Sequence, residues 1–537
     1  MRGLNLDSGH SGQKRRGAKS GVCRHRRLAV RMAKLCLDGS NKARYNKVRL
    51  CSDDAVLFIM QRSSMTETHK KWIIEQPRFK GIFDTGKYKN GRFEKGIPLA
   101  SPIGRQHSRK FINEALDAGG NGIQDGVQIG KFEKELAEYM GIPYAVALRS
   151  GEAALQLALK LAAEKLYGSS TGIYTPNGLG SGGALCGKKV FCPDLAASDM
   201  INPVVFEGGE PVFIDSSDRN WGMDPQVLEL AFQKYPDVKL VILNHPYGFP
   251  GQVMEVRKLC FGHGALLIEC AGEALGAAYW TGQGRPDTTD GTWGKAGALG
   301  DYTVLDFGSD KIVGPTGGAL LTRNCYEAEK ARYWASGAKA AVPWNQHEEL
   351  GCSFLMGELD AASLRGQLLH IDETIEKKKK IYQRYYDGLD GHLAYVIPVE
   401  DGTRPNYWMT AMTCESNIQF METRSDRDYT YQDIHGTAAP MEIYDALMAF
   451  HISSRPVYKP MSMQPVFRNN EHFTLDGPWR MYECFYNDTF WLRCDMARQY
   501  YESGICLPSD ASMTEEEQDR VIDVVLACYN KADMDGK

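Results

Sequence analysis

The chain has 537 residues, of which 43% are hydrophobic and 24% charged, and it carries a formal net charge of −4. These are globular proportions, with length enough for two or more domains. Fourteen scattered cysteines without a CxxC pair exclude a small disulfide scaffold and offer no zinc or redox motif, which points to reduced thiols in a cytoplasmic protein. No apolar run approaches the roughly 20 residues that span a bilayer, and AVLFIM at 55–60 is too short and too deep for a signal peptide.

Charge divides the chain. Residues 1–95 hold 23 Lys and Arg against 8 Asp and Glu, while the remainder is acidic. Stretches such as GQKRRGAKSGVCRHRR have neither helical nor strand periodicity, so residues 1–95 are expected to be a disordered basic extension without a function of its own. Met65 offers an alternative start. Nucleic acid is not an expected partner.

From about Ile97 the pattern becomes regular. FINEALDAG and FEKELAEYMG read as helices, YAVALRS as a strand, and SGEAALQLALKLAAEKL as a helix opening directly after it. A glycine-rich loop follows, then four short buried-strand candidates, VFCPD, PVFID, KLVILNH and ALLIEC. Helical patterns separate them, among them DPQVLELAFQKY, where Asp224 can cap and Pro225 open the first turn. Strands alternating with helices predict a mainly parallel α/β sheet. A charged helix at 370–389 leads into a smaller C-terminal α/β domain, giving a large domain over 96–370 and a small one over 371–537.

In such sheets ligands gather at the C-terminal strand ends, where helix N-termini present free N–H groups. Three stretches fall there: RSGEAAL, IECAGEALGAAY and DFGSDKIVG. A helix opening at Gly151 suits a phosphate, an acid ending a strand can hold a heterocyclic nitrogen, and Lys311 can form an imine. In this order they suggest pyridoxal phosphate. A lysine that only neutralises Asp306, Asp310 or Glu152 is the plainer reading of Lys311.

The sequence resembles the DegT/DnrJ/EryC1/StrS family of sugar aminotransferases, and most closely its exopolysaccharide branch. The likeness runs from IPLASPIG almost to the C-terminus, through FEKELAEYMG, NPVVFEGGEPVFIDSSDRNWGMDP, HPYGFPG, KIVGPTGGALLT, HEELGCSFLMGELDAASLRGQ, SSRPVYKPM and GICLPSD. The resemblance implies a fold-type I pyridoxal-phosphate architecture and a homodimer with active sites at its interface. It also implies an amino-acid donor, commonly glutamate, and a keto sugar nucleotide as acceptor. Lys311 stands at the family's Schiff-base lysine, and Glu273 fits a place held by Gln or Glu.

Elsewhere the chain departs from the family. Glu152 replaces a threonine and Asp306 a serine, both phosphate donors in the family. Ser353 replaces an asparagine that reaches the phosphate from the partner subunit. Ala197 replaces a ring that covers the pyridine, Cys270 the aspartate that pairs with the pyridine nitrogen, and Ser462 the histidine of KPMH. A thiol is a weak, usually neutral partner for a pyridinium. Two readings follow: an aminotransferase, or a catalytically degenerate member that keeps the dimer fold as a binding or partner subunit. Dehydration is disfavoured, because family members of that kind replace the lysine with histidine.

Overall fold

The computed structural model describes residues 46–49, 56–62, 67–79, 96–117, 127–168, 174–175, 178–179, 183–282, 292–389, 394–414, 421–424, 429–435, 438–480 and 495–529. In chain order the elements used below are α1 (Glu67–Ile74), α2 (Arg109–Asp117), α3 (Val127–Met140), β1 (Tyr144–Leu148), α4 (Gly151–Tyr167), β2 (Lys189–Pro193), β3 (Glu210–Ile214), α5 (Pro225–Lys234), β4 (Leu240–Asn244), α6 (Val253–His263), β5 (Leu266–Cys270), β6 (Tyr302–Asp306) and β7 (Gly318–Thr322). There follow α7 (Cys325–Ala335), α8 (Glu358–Leu368), α9 (Ile371–Leu389), β8 (Ala394–Val396), β9 (Thr410–Cys414), α10 (Pro440–Ala449), β10 (Arg455–Pro456), β11 (His472–Thr474), β12 (Gly477–Trp479), α11 (Met496–Ser503), β13 (Gly504–Leu507) and α12 (Glu515–Tyr529).

Apolar strands too short for helices assemble into one nine-stranded sheet, in the order β12-β11-β3-β2-β4-β5-β6-β7-β1. From β11 to β6 neighbouring strands run parallel. β7 is antiparallel to both β6 and β1. Every residue of β4 and β7 is buried, as expected for strands covered on both faces. Asp224 caps α5 by accepting the Gln226 N–H at 2.7 Å, with Pro225 in the first turn. A second, antiparallel sheet has the order β8-β9-β13-β10. α9 packs on β8, and α10 on β10 and β13.

Two expectations about domain limits need correction. Residues 371–537 are not one separate small domain: β11 returns to the large sheet and pairs parallel with β3, His472 opposite Phe213 and Phe473 opposite Ile214. All three β11 residues are buried, so the strand covers what would be an open edge at β3. The basic extension does not end at residue 95 as an unpacked segment either. Ile73 and Phe79 are buried, Phe79 lies edge-on to Phe450, and Arg78 Nη2 meets Glu442 Oε1 at 2.6 Å with both side chains 1% exposed. Two short backbone strands, Asn46–Arg49 and Val56–Arg62, form an antiparallel sheet with Tyr429–His435 and Met421–Arg424. These elements are too brief for periodicity to reveal, and their partners lie more than three hundred residues away. Residues 1–45 lie outside the described residues.

Candidate active site

The site forms where β5 and β6 end beside the N-terminus of α4. β6 closes on Asp306, and the loop from there to β7 carries Lys311. Lys311 Nζ lies 3.3 Å from Glu273 Oε1 and 3.9 Å from the centroid of the Trp408 ring. The same Glu273 oxygen accepts the Tyr458 hydroxyl at 3.0 Å, while its Oε2 accepts the Tyr247 N–H at 2.9 Å. Trp408 Nε1 donates to the Asp310 carbonyl at 2.6 Å, which ties the lysine loop to the segment leading into β9. Lys311 is thus held by an acid, an indole face and a fixed loop.

Gly151, Glu152, Ala197, Cys270, Asp306 and Lys311 line one cleft, so the structure brings these six together. Glu273 joins them through Lys311. Ser353 does not: it is exposed, and its carbonyl accepts from Arg149 at 3.2 Å. Ser462 is buried outside the cleft, where its N–H and hydroxyl both donate to Asp194. Sequence reasoning missed Asp199, Trp408, Tyr247 and Tyr458. Asp199 stands two residues past Ala197 and lines the cleft. Tyr247 lies within the HPYGFPG stretch and Tyr458 within SSRPVYKPM, whereas Trp408 carries no local signal.

The cleft is small and acidic. Its volume of about 30 Å³ has room for about one water molecule. Asp306 Oδ1 accepts the Gly151 N–H at 3.1 Å, so the chain's own carboxylate takes one of the free donors of α4. Ser150 takes another, its hydroxyl accepting from Ala153. The fit around Asp306 is close. A Cβ added at Gly151 would lie 2.6 Å from Asp306 Cβ, and one at Gly272 2.8 Å from the Asp306 nitrogen.

Burial and then the charge of Asp199 raise the Glu152 carboxyl above its usual range. Burial also raises Asp306, opposed by Lys311 and reinforced by Asp199. Asp199 itself is raised by burial, with Lys311 pulling the other way. Burial, then Asp199 and Glu269, push the Cys270 thiol up, so it is neutral at physiological pH.

The comparisons agree with this architecture. The model of the DegT/DnrJ/EryC1/StrS aminotransferase family matches residues 103–526. The chain belongs to this family. EpsN of Bacillus subtilis (strain 168), named as a pyridoxal phosphate-dependent aminotransferase, is 31% identical over 448 residues, covering 82% of this chain and 97% of that protein. GDP-perosamine synthase of Vibrio cholerae is 24% identical over 439 residues, 81% of this chain and 99% of that one. Among solved structures, a DegT DnrJ EryC1 StrS aminotransferase from Brucella abortus superposes with a TM-score of 0.60 at 20% identity, covering 79% of this chain and 96% of that one. The fold is therefore the fold-type I architecture of pyridoxal-phosphate aminotransferases.

Pyridoxal phosphate is the cofactor of this family, and the residues present fit its reactive end. Lys311 reaches the cleft at the C-terminal edge of the sheet, and Glu273 holds its ammonium. A phosphate would lie at the N-terminus of α4, where Asp306 accepts the Gly151 N–H. That end would fit once the carboxyls of Asp306 and Glu152 carry protons or turn aside, and burial raises the proton affinity of both. The ring nitrogen would meet a neutral thiol at Cys270, a weak partner.

Proposed function

We propose that this protein transfers an amino group from an amino acid, with glutamate as the expected donor, to a keto sugar nucleotide in polysaccharide biosynthesis. It acts as a cytoplasmic homodimer. The observation that carries this reading is the placement of Lys311: a lysine at the strand-end cleft, fixed between Glu273 and Trp408. The name of GDP-perosamine synthase supports the substrate class, and that of EpsN supports pyridoxal-phosphate-dependent amino transfer. The exposure of Ser353 supports the dimer, because a residue expected to serve the partner's site must project from its own chain. Among the described residues, no helix is long and apolar enough to cross a membrane.

When bound, pyridoxal phosphate supplies an electron sink that acidifies the hydrogen on the donor's α-carbon. Lys311 Nζ takes that proton and later returns it on the acceptor side, acting as base and then acid. Glu273 Oε1 orients Nζ through the 3.3 Å contact. Tyr458 shares the same oxygen and restrains the carboxylate. Trp408 excludes water from one side of the ammonium.

Absorbance of the purified protein with added pyridoxal phosphate tests the proposal, followed by glutamate and a keto sugar nucleotide with mass analysis of the product. An aminated sugar nucleotide that disappears in Lys311→Ala is the expected result. No imine band at saturating cofactor would remove this reading. A second reading, a degenerate member kept as a binding or partner subunit, is favoured by one observation, the Asp306 carboxylate already seated on the Gly151 N–H.

A further inference from the structure

Lys311 is flanked by Glu273 and Trp408, which come from segments far apart in the chain, and one buried side chain ties those segments together. Asn406 is 1% exposed. Its Nδ2 donates to the carbonyls of Glu273 at 2.8 Å and Leu275 at 3.0 Å, and its Oδ1 accepts the Trp408 N–H at 2.9 Å. Its own N–H donates to the Gly248 carbonyl at 3.1 Å. The turn at Gly248 also carries Tyr247, whose N–H donates to Glu273 Oε2.

A primary amide offers two N–H donors and a carbonyl acceptor, and here all three are used. Two carbonyls on one side and an N–H on the other also fix which amide atom is the oxygen. Tyr247 and Tyr407, on the two turns that Asn406 joins, have positive φ values of 58° and 54°. A residue other than glycine persists in that region only where its surroundings enforce it. Lys378 Nζ holds the Trp408 carbonyl at 3.1 Å, so this segment keeps a second anchor when the amide is changed. Asn406 does not line the cleft, so it acts through its neighbours.

We propose that Asn406 is a positioning residue for Lys311: by joining the backbone of Glu273 to that of Trp408, it keeps the carboxylate and the indole together at Nζ. The contacts it preserves are the 3.3 Å reach to Glu273 Oε1 and the 3.9 Å approach to the Trp408 ring centroid. Without the amide, two carbonyls and an N–H lose their partners, and the two flanks shift independently. The role in turnover rests on the amino-transfer reading above, whereas the holding of Lys311 does not.

The first test reads Lys311 without cofactor or turnover: trace acetylation of the full-length protein with acetic anhydride, followed by peptide mapping. Lys160 is the reference, an 8% exposed lysine on α4 whose Nζ donates to the Leu350 carbonyl. Labelling of Lys311 relative to Lys160 should rise about tenfold in Asn406→Leu, the scale of one or two lost hydrogen bonds. Asn406→Asp keeps the acceptor and, once protonated, one donor, so its rise should be smaller. That variant carries the test if Asn406→Leu folds poorly. Added to Trp408→Phe or Glu273→Gln, Asn406→Leu should do less than it does alone, because it acts through both. An equal rise at both lysines, or none at Lys311, would overturn the proposal. In turnover, kcat should fall roughly 10- to 100-fold while the donor KM moves by less than about threefold. Selective labelling in a protein that never aminates a sugar sinks the amino-transfer reading and leaves this one standing. An active enzyme whose kcat ignores Asn406 sinks this one alone.

Discussion

Asp306 and Gly151 stand in an unusual relationship for a phosphate site: the acid's Oδ1 accepts the N–H that opens α4, at 3.1 Å. A helix N-terminus attracts an anion through its free donors and its dipole. Here the anion is already part of the chain, and any phosphate must compete with it.

Asp306→Ser should therefore tighten pyridoxal phosphate binding by about tenfold, since like charges a few ångströms apart cost on the order of a kcal/mol or more at an effective dielectric near 20. The pH dependence has a definite sign. Burial raises the Asp306 carboxyl, so the group is neutral at lower pH and ionises as pH climbs through its raised value. Cofactor affinity of the natural protein should fall with rising pH, and the fall should shrink in Asp306→Ser. Absorbance titrations at about pH 6 and about pH 8.5 decide it. Tight binding that is flat with pH would show that the carboxylate swings clear.

Cys270→Asp restores a charged partner for a pyridinium but leaves Glu152 and Asp306 at the phosphate. Alone it should help less than the pair Glu152→Thr and Asp306→Ser, and all three together should bind the cofactor most tightly. A larger gain from Cys270→Asp than from the pair would place the weakness at the ring instead.

Arg78 and Glu442 form an ion pair whose side chains are each 1% exposed. Arg78→Ala leaves a buried carboxylate uncompensated and should cost about 3–5 kcal/mol. A chain beginning at Gly96 also loses Ile73 and Phe79 from the core, so its melting temperature should fall by at least as much. An unchanged melting curve for both would mean that α1 and the turn after it contribute nothing to the body. The sequence had suggested the opposite, a dispensable head.

His472 is buried between two acids, Nε2 3.2 Å from Asp194 Oδ2 and Nδ1 3.8 Å from Asp495 Oδ2. Burial and Asp495 push the nearby Asp215 carboxyl up to about 7. Below that value Asp215 is neutral, and above it one more buried negative charge depends on His472. His472→Gln should thus destabilise the protein more at about pH 8 than at about pH 6, by roughly 3–5 kcal/mol at the upper end. Denaturant melts at the two pH values measure it, and an equal loss at both would mean that the imidazole is neutral.

Much of this fold was legible because its strands are short, apolar and separated by helices with clear caps. Tyr144–Leu148, Lys189–Pro193, Glu210–Ile214, Leu240–Asn244 and Leu266–Cys270 all read directly from the residues. Gly151, Glu152, Cys270, Asp306 and Lys311 were legible because their stretches close strands or open a helix, where position in the chain implies position in space, whereas Ala197 came from the family resemblance. Trp408 was not, since its ring reaches the lysine only through packing between sheets, and Tyr247 meets the site through its backbone N–H on Glu273. His472–Thr474 was missed because a strand of three residues has no period, and α1 because its apolar face is two turns long. Arg78 gave no sign of its partner, 364 residues away.

The chain enters the antiparallel sheet at β8, leaves it after β10 to pair β11 with β3 in the large sheet, and returns at β13. Each crossing is a tether. A hinge needs few covalent and hydrogen-bonded links between the bodies that turn on it, and here β11 is zipped to β3 while β10 and β13 pair with each other. The two sheets are therefore coupled mechanically, and heat should melt them in a single cooperative step rather than one after the other. Access to the cleft then depends on side chains such as Asp306 and on the lysine loop, not on the swinging of a lid domain.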